Sequence, residues 1–509
     1  MTTSREIVTL QLGNYANFVG SHWWNSKTAE LLRKQEVLKH GKEEFETTPE
    51  TFFHLPQDSD SCTPRLISLD VKDALGDLSE EGHFVAHSSK SAILSQNALW
   101  QGQVEVTQRG EGGKGSPLKN ERQIKYWSDF LNTKLHQRSL LSLPFVASDG
   151  DLDVNQENVS SKALLEDIED KIRYFAEACD FLDGFQMLST VHDGCSQIAI
   201  DVLNYLKDDY SNKCTLVAPL AQPRFDQSKM DEKSVSQRLI NWCRFFENSW
   251  QNSSIIVPLS LSDSLWQSKM ATKLAKISGI SYDPASDFQT SSILASAFEN
   301  ITIPYSLAAS AFSARLGMLE LSAFATKYYK MNELRFCYPF PLRVPNQPSP
   351  APVQPVRPEW VSLTPPRIEK ERILSRCSVL RGVDVLTLMT QQPMEMLMRN
   401  CKKDFENTLE SSLPVIDSFV RSHTCIAESP LHLSKKLPKE LVPSEKHIIP
   451  IASSLISSGE YVGTSLGTLH DECRQLSFIK WQSLLPERTD WGENLEWLVA
   501  TSQDALNLK

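Results

Sequence analysis

The feature that most constrains the fold is a change of hydrophobic period between residues 160 and 217. Apolar residues first recur at spacings of 4, 4, 3, 4 and 3, which predicts one face of a helix at Leu164, Ile168, Ile172, Phe175, Cys179 and Leu182. Gly184 ends this predicted helix, and residues 185–190 are typical of a strand. A loop at 191–196 precedes a second helix and a strand at 215–217; the inward residues of that helix are Ile198, Val202, Leu203 and Leu206. The alternation predicts a βαβ unit whose loop lies at the carboxyl end of a strand, where open α/β sheets bind ligands.

The amino-terminal segment contains a second unit of this kind. Residues 5–12 are rich in Ile, Val and Leu, as a buried strand requires, and Gly13 and Asn14 follow them. Apolar and aromatic residues then recur at helical spacing, at Phe18, Val19, His22 and Trp23. Residues 65–69 predict a further strand that ends at Asp70. We therefore predict an α/β protein with a parallel, Rossmann-type sheet and flanking helices.

Composition divides the chain into segments. Residues 102–123 are polar and rich in Gly and Lys, which indicates an exposed insertion. Between residues 339 and 366, 10 of 28 residues are proline, a density that excludes helix and central strand and predicts an extended connector. The predicted segments are an N-terminal segment at 1–100, an insertion at 101–125, a segment at 126–338 that completes the α/β domain, the connector at 339–366, and a smaller C-terminal α+β region at 367–509 that ends in helices.

Charge and cysteine content exclude several classes of protein. The chain has 63 Asp and Glu against 52 Lys and Arg, a net charge of −11, so we expect no nucleic-acid partner. None of the ten cysteines lies in a C-x-x-C spacing or a zinc-like cluster, so we expect free, buried thiols and no metal. The sequence shows no signal peptide, no mitochondrial presequence and no apolar run of about 18 residues, so we expect only peripheral membrane contact.

Three short motifs suggest chemistry, and each has a simpler structural interpretation. Residues 463–467 have the form G-x-S-x-G, but no acid lies between Ser465 and His470, so we interpret them as a glycine-rich turn. Residues 110–116 lack the glycine spacing of a phosphate loop and indicate a solvated loop. Residues 192–194 are candidates for a phosphate or metal contact, but we favour a tight turn in which Asp193 caps the next helix. We predict no catalytic residue.

Several of these segments resemble tubulin. In the strand, loop and helix at 5–25, the matching residues are Arg5, Glu6, Ile7, Val8, Gln11, Gly13, Asn17, Gly20 and Trp24. Around the loop at 191–196 they are Asp170, Lys171, Ile172, Arg173, Cys179, Leu182, Gly184, Phe185, Asp208, Asp209 and Tyr210. Residues 63–65 with Asp70, and residues 381–382, resemble further tubulin strands. The resemblance implies a tubulin-like fold.

Other blocks distinguish the chain from the tubulins themselves. They are residues 23–24, 63–66, 100–102 and 127–131, His136 with residues 138–139, and residues 184–186, 192–194 and 304–305. In this order they look like the tubulin-related Misato family, over most of residues 5–307. This resemblance implies a protein of the cytoplasm and the mitochondrial outer membrane that regulates mitochondrial distribution, morphology and fusion. The implied partners are proteins of the mitochondrial surface, with tubulin or chaperonin as alternatives.

The resemblance also implies a tubulin-type nucleotide site at Gly13, Asn14, Asp70, Gly194 and Ser196. Several departures from tubulin imply that this site is degenerate. The aligned phosphate loop keeps one glycine, and Asp193 puts a negative charge where phosphate oxygens would lie. Further departures are Phe18 at a polar nucleotide contact, Lys72 at an acidic position, and Ser236 and Ser291 in place of asparagines that read guanine.

A loop that completes GTP hydrolysis in tubulin filaments is also missing. Only a short link joins a predicted helix at 291–298 to residues 303–305. We therefore expect a non-enzymatic regulator without a cofactor, with GTP binding disfavoured. Two alternatives stay open: a GTP-binding switch or slow GTPase of tubulin type, and a tubulin-folding or spindle assembly factor.

Overall fold

The computed structural model of the chain contains two sheets covered by helices. It describes residues 5–39, 48–54, 62–79, 82, 124–143, 162–223, 232–266, 273–308, 315–341, 357–368, 371–382, 394–414, 422–427, 450–476 and 488–507. The run at 110–116, the block at 100–102 and nearly all of the predicted insertion at 101–125 lie outside these residues.

Six parallel strands form the first sheet, which confirms the predicted α/β class. They are β1 (Glu6–Leu12), β4 (Leu66–Val71), β5 (Leu140–Leu143), β6 (Leu182–Thr190), β7 (Cys214–Leu220) and β8 (Ile255–Ile256), while β2 (Phe53–His54) and β3 (Thr63–Pro64) pair separately. The order across the sheet is β5-β4-β1-β6-β7-β8. Both faces are buried, because Ile7 of β1 packs into one core while Val8 and Leu10 pack into the other.

Helices cover both faces of this sheet. On one face lie α1 (Asn14–Lys39), α5 (Asp287–Ser306) and α6 (Met318–Ala325); on the other lie α2 (Lys162–Glu177), α3 (Cys195–Asp209) and α4 (Glu232–Asn252). Helix α7 (Met394–Ser412) belongs to the second sheet, and α8 (Gly459–Cys473) and α9 (Arg488–Asn507) pack together beside α4.

The second sheet is mixed and confirms a smaller α+β region toward the carboxyl terminus. It consists of β9 (Glu333–Cys337), β10 (Val361–Ser362), β11 (Ser375–Arg381), β12 (Ser422–Ala427) and β13 (Ile451–Ser457), in the order β10-β9-β13-β11-β12. Strand β10 lies within the proline-rich segment, as a two-residue strand at the sheet edge. Strand β9 precedes that segment in the chain, so the second sheet takes strands from both sides of it.

The predicted helix at 164–182 is wrong at its carboxyl end. Helix α2 ends at Glu177, and Leu182 already pairs with Glu6 as the first residue of β6. The spacing of Cys179 and Leu182 fits a turn as well as a helix, so periodicity could not separate the two. Gly184 does not end an element but lies inside β6. A Cβ atom at this position would come 2.3 Å from the Cys214 carbonyl oxygen of the neighbouring strand, which explains why the residue is glycine.

The predicted turn at 463–467 is also wrong, since these residues lie inside α8. Their glycines form the surface on which α9 packs: a Cβ atom on Gly463 would lie 2.5 Å from Leu506 Cγ, and one on Gly467 would lie 2.9 Å from Ser502 Oγ. Ser502 Oγ also donates to the Gly463 carbonyl oxygen at 2.8 Å. Close helix packing, and not a change of chain direction, explains the glycines.

A buried ion-pair network joins the two sheets. Lys27 Nζ of α1 lies 2.8 Å from Glu299 Oε1 of α5, and Arg381 NH1 of β11 lies 2.6 Å from the same oxygen. Glu30 adds a second carboxylate 3.0 Å from Lys27 Nζ. All three side chains around Glu299 are almost fully buried. The network thus places two cations, Lys27 and Arg381, beside two carboxylates, Glu30 and Glu299, inside the core.

All ten cysteines are free, and eight of them are buried. Across the described ranges, no group of three or more His, Cys, Asp or Glu side chains is placed to hold a metal ion. No helix in this part of the chain is long and apolar enough to cross a membrane.

Helix α2 provides a test of core packing. Phe175 is 1% exposed on its inner face, beside Ile168 and Ile172. We expect Phe175→Ala to lower the free energy of unfolding by about 3–5 kcal/mol, because it removes a buried ring and leaves a cavity. Lys162→Ala, whose side chain is 91% exposed, is the matched control and should change it little. Denaturant unfolding measures both; equal effects would contradict the assignment of this face to the core.

Candidate functional site

The five predicted site residues meet at the carboxyl edge of the first sheet, where the order of strands reverses between β1 and β6. Gly13 and Asn14 follow β1, Asp70 lies near the end of β4, and Gly194 and Ser196 follow β6. Asn14 Nδ2 donates to Asp70 Oδ2 at 3.4 Å, and the backbone N–H of Gly13 donates to the Leu69 carbonyl at 3.0 Å. This crevice is the usual ligand site of an open α/β sheet.

Gly13 is required by both its backbone conformation and its neighbours. Its φ angle is +98°, in the region that favours glycine. A Cβ atom there would lie 2.8 Å from Thr190 Oγ1 and 3.1 Å from Cys195 Sγ. The β1–α1 and β6–α3 connections therefore touch each other at the centre of the crevice.

A side chain of β6 accepts from one of the first N–H groups of α1, and the regular hydrogen bonds of the helix begin at the next residue. The N–H of Ala16 donates to Thr190 Oγ1 at 3.1 Å, and the N–H of Asn17 donates to the Gly13 carbonyl at 3.0 Å. The first N–H groups of a helix are the ones that bind phosphate in nucleotide sites. Thr190 had no signal in the sequence beyond its place at the end of a strand.

Asp193 lies in the turn before α3, one residue ahead of the N-cap Gly194, and its carboxylate accepts from the helix start as predicted. Asp193 Oδ1 accepts from the Cys195 N–H at 3.0 Å, and the Asp193 carbonyl accepts from the Ser196 N–H at 3.2 Å. Asn241 Nδ2 of α4 donates to the carbonyls of His192 and Asp193, both at 3.2 Å. A carboxylate of the chain itself thus stands at a helix start that would otherwise attract an anion.

Asp70 is the most perturbed acid in the crevice. It is 2% exposed and accepts from Asn17 Nδ2 at 3.0 Å, from Trp127 Nε1 at 2.9 Å and from the Val71 N–H at 2.8 Å. Burial, with a smaller contribution from the charge of Asp193, raises the pKa of the Asp70 carboxyl to about 7. Asp70 therefore changes its charge near neutral pH.

An aromatic cluster fills the adjacent face of α1. Phe18 is buried, with its ring centre 5.8 Å from that of Phe130, and His22 lies between Phe130 at 4.3 Å and Phe288 at 4.9 Å. His22 Nε2 is 2.9 Å from the Phe288 carbonyl oxygen, and burial lowers the pKa of His22 to about 3. The resemblance to tubulin implies a polar nucleotide contact at the position of Phe18, and in this chain that position is part of a packed aromatic core.

Two further sequence expectations concern α4 and α5. The hydroxyl of Ser236 donates to the Glu232 carbonyl at 2.8 Å, and that of Ser291 donates to the Phe288 carbonyl at 3.3 Å, so each hydroxyl bonds within its own helix. No loop interrupts residues 298–303, as expected, because α5 runs through them to Ser306. Asn17, Trp127 and Asn241 contact the crevice but were not among the predicted site residues.

Two family models match the chain. The Misato Segment II tubulin-like domain matches residues 5–119, and a tubulin domain matches residues 116–307. Together they cover both connections that form the crevice. The predicted resemblance to tubulin and to Misato is therefore confirmed.

Individual relatives agree with the family models. The chain is 26% identical to "Protein misato homolog 1" of Mus musculus over 98% of each chain. It is 28% identical to the protein of that name in Macaca fascicularis over 67% of this chain and 66% of the relative, and 27% identical to "Protein misato" of Drosophila melanogaster over 60% of each. The chain thus spans just under two thirds of the macaque and fly relatives in these alignments, and nearly all of the mouse relative.

The raised pKa of Asp70 predicts a pH dependence of stability. A carboxyl whose pKa rises from 3.8 to about 7 on folding holds its proton more tightly in the folded chain, so the free energy of unfolding falls as pH rises through this window. The fall should be at most about 4 kcal/mol and should be reduced in Asp70→Asn. Denaturant unfolding between about pH 4 and 8 measures it. The exposed Asp73→Asn is the control, and an equal slope in wild type and Asp70→Asn would contradict the assignment.

Proposed function

The chain belongs to the Misato family of tubulin-like proteins, and on this premise we propose that it is a non-enzymatic regulator of mitochondrial distribution, morphology and fusion. In this proposal the tubulin-like fold is a scaffold, and its nucleotide site is degenerate. Partner surfaces carry the activity.

The observation that carries the proposal is the occupation of both helix starts by groups of the chain. Thr190 Oγ1 accepts from the Ala16 N–H of α1 at 3.1 Å, and Asp193 Oδ1 accepts from the Cys195 N–H of α3 at 3.0 Å. A nucleotide phosphate would have to displace both acceptors. The bonds it gained would replace bonds that already exist, so the net free energy of binding would be small.

Charge works in the same direction. Asp193 is 4% exposed and holds its carboxylate at the α3 helix start. Two unit charges of like sign about 4 Å apart repel by about 4 kcal/mol at an effective dielectric constant near 20. A phosphate at this helix start would meet that repulsion, and above pH 7 the ionised Asp70 would add to it.

The mitochondrial part of the proposal is supported by family membership. We propose peripheral contact with the mitochondrial outer membrane, a cytoplasmic pool, and proteins of the mitochondrial surface as partners. Tubulin and chaperonin are the alternative partners, for which the chain would act as a tubulin-folding or spindle assembly factor. A pull-down from cytosol, scored for mitochondrial surface proteins against tubulin and chaperonin, distinguishes the two.

The filled crevice predicts that GTP does not bind at neutral pH in the presence of magnesium. Isothermal titration calorimetry of the full chain with GTP measures this directly. Tubulin freed of exchangeable nucleotide, titrated in the same buffer, is the positive control. A micromolar dissociation constant for this chain would reject the scaffold and favour a GTP-binding switch or slow GTPase.

A second prediction concerns mitochondria in cells depleted of the chain. Wild type and Asp193→Ala, expressed at equal levels, should both restore the mitochondrial network, because Asp193 acts as a helix cap and not as a ligand contact. The lost cap should cost about 1 kcal/mol of stability. Carbonate extraction should release both proteins from isolated mitochondria. Failure of Asp193→Ala at normal protein level would make the crevice a functional site.

A further inference from the structure

A small ring stack lies at the amino edge of the first sheet, away from the crevice. The turn at 136–139 precedes β5, and its His136 ring stacks on Tyr174 of α2 with centres 5.3 Å apart and planes 26° apart. Arg138 Cζ lies 4.4 Å from the Tyr174 ring centre. Lys171 lies on the same helix, three residues before Tyr174. We call His136, Arg138, Lys171 and Tyr174 the His136 cluster.

Hydrogen bonds define which donors of this cluster are free. His136 Nδ1 accepts from the Arg138 backbone N–H at 3.1 Å, so the neutral ring carries its proton on Nε2. Nε2 lies 3.2 Å from Tyr174 Oη and donates to it. The hydroxyl proton of Tyr174 is then not used in this hydrogen bond. Among the described residues, the guanidinium of Arg138 contacts the Tyr174 ring and forms no ion pair.

The charges that act on His136 are all positive. Burial lowers the pKa of His136, and His54 of β2, Arg138 and Lys171 lower it in the same direction. Burial lowers the pKa of His54, Arg65 lowers it further and Glu6 raises it. Asp167 lies 3.7 Å from Lys171 Nζ, with its side chain 50% exposed. Arg138 is exposed and the Lys171 side chain is 15% exposed, so the cluster places two permanent cations beside the single carboxylate of Asp167.

We propose that the His136 cluster binds a phosphate monoester on a phosphorylated segment of a partner protein. A phosphoserine or phosphothreonine carries a charge of about −1.5 to −2 at pH 7 and three acceptor oxygens. Arg138 offers the paired N–H groups that suit phosphate, Lys171 a second cation, and Tyr174 a hydroxyl donor. A carboxylate has one charge and two oxygens and would use fewer of these groups.

A protein segment fits this surface better than a membrane does. Electrostatic binding to anionic lipid uses clusters of roughly 4–8 lysines and arginines. The His136 cluster has two permanent cations, Arg138 and Lys171, and one of them pairs with Asp167. Such a surface suits a single phosphate group more than an extended negative layer.

Titration with a Gly-Ser peptide carrying one phosphoserine tests the proposal on the full chain. We expect saturable binding that weakens by roughly tenfold in Arg138→Gln and is partly kept in Arg138→Lys, which retains the charge without the fork. Arg173→Gln is the matched control, since Arg173 is exposed on α2 and pairs with Asp170 at 2.9 Å. Its binding should equal that of wild type. The same peptide without phosphate should not bind.

Histidine-selective NMR gives a second readout that a structural role would not move. Phosphopeptide binding should raise the pKa of His136, because an adjacent anion favours the imidazolium form. Equal binding by Arg138→Gln and Arg173→Gln, or no change at His136, would overturn the proposal. If the chain binds phosphatidylcholine vesicles that contain phosphatidic acid but does not bind the phosphopeptide, the surface recognises a membrane and the proposal is overturned. If inorganic phosphate binds and the phosphopeptide does not, the assignment to a protein segment is overturned.

Discussion

The buried carboxylate of Glu299 links the two sheets inside a hydrophobic core that they share. It accepts from Lys27 of the first helix and from Arg381 of the second sheet, at 2.8 and 2.6 Å, inside a core that excludes water. Removing one partner from such a group typically costs about 3–5 kcal/mol, because a buried charge is left without compensation. The first sheet, its covering helix and the second sheet are therefore held as one unit. The proline-rich segment between them joins parts that already contact each other.

The crevice shows the same use of internal partners at a place where related folds bind ligands. Its topology is that of an open α/β ligand site, with two helices starting at a reversal of strand order. Thr190 and Asp193 supply the acceptors at those helix starts, and Phe18 closes the neighbouring face with other aromatic rings. The buried Asp70 accepts from four donors near the same point. The fold thus retains the geometry of the site while its polar groups bind one another.

Sequence reasoning succeeded where the signal was local. The period of residues 160–217 predicted β6 and α3, and the type of residues 192–194 predicted the cap at Asp193. It failed where a distant partner decides the structure. Gly463 indicated a turn, but this glycine lies in a helix and provides the space in which α9 packs. Lys27 gave no sign of burial, because Glu299 and Arg381 lie far along the chain. Thr190 and Trp127 likewise contact the crevice through partners distant in the sequence, Ala16 and Asp70.

The two edges of the first sheet differ in how far their polar groups are already satisfied, and this difference is the physical basis of the proposed phosphate site. A bound ligand gains free energy chiefly from donors and charges that lack partners, since replacing an existing hydrogen bond yields little. At the carboxyl edge, the starts of α1 and α3 already have acceptors from Thr190 and Asp193. At the amino edge, the guanidinium of Arg138 has a ring contact but no ion pair among the described residues. A tubulin-like chain whose carboxyl edge is internally satisfied can therefore keep its fold and recognise a partner through the opposite edge.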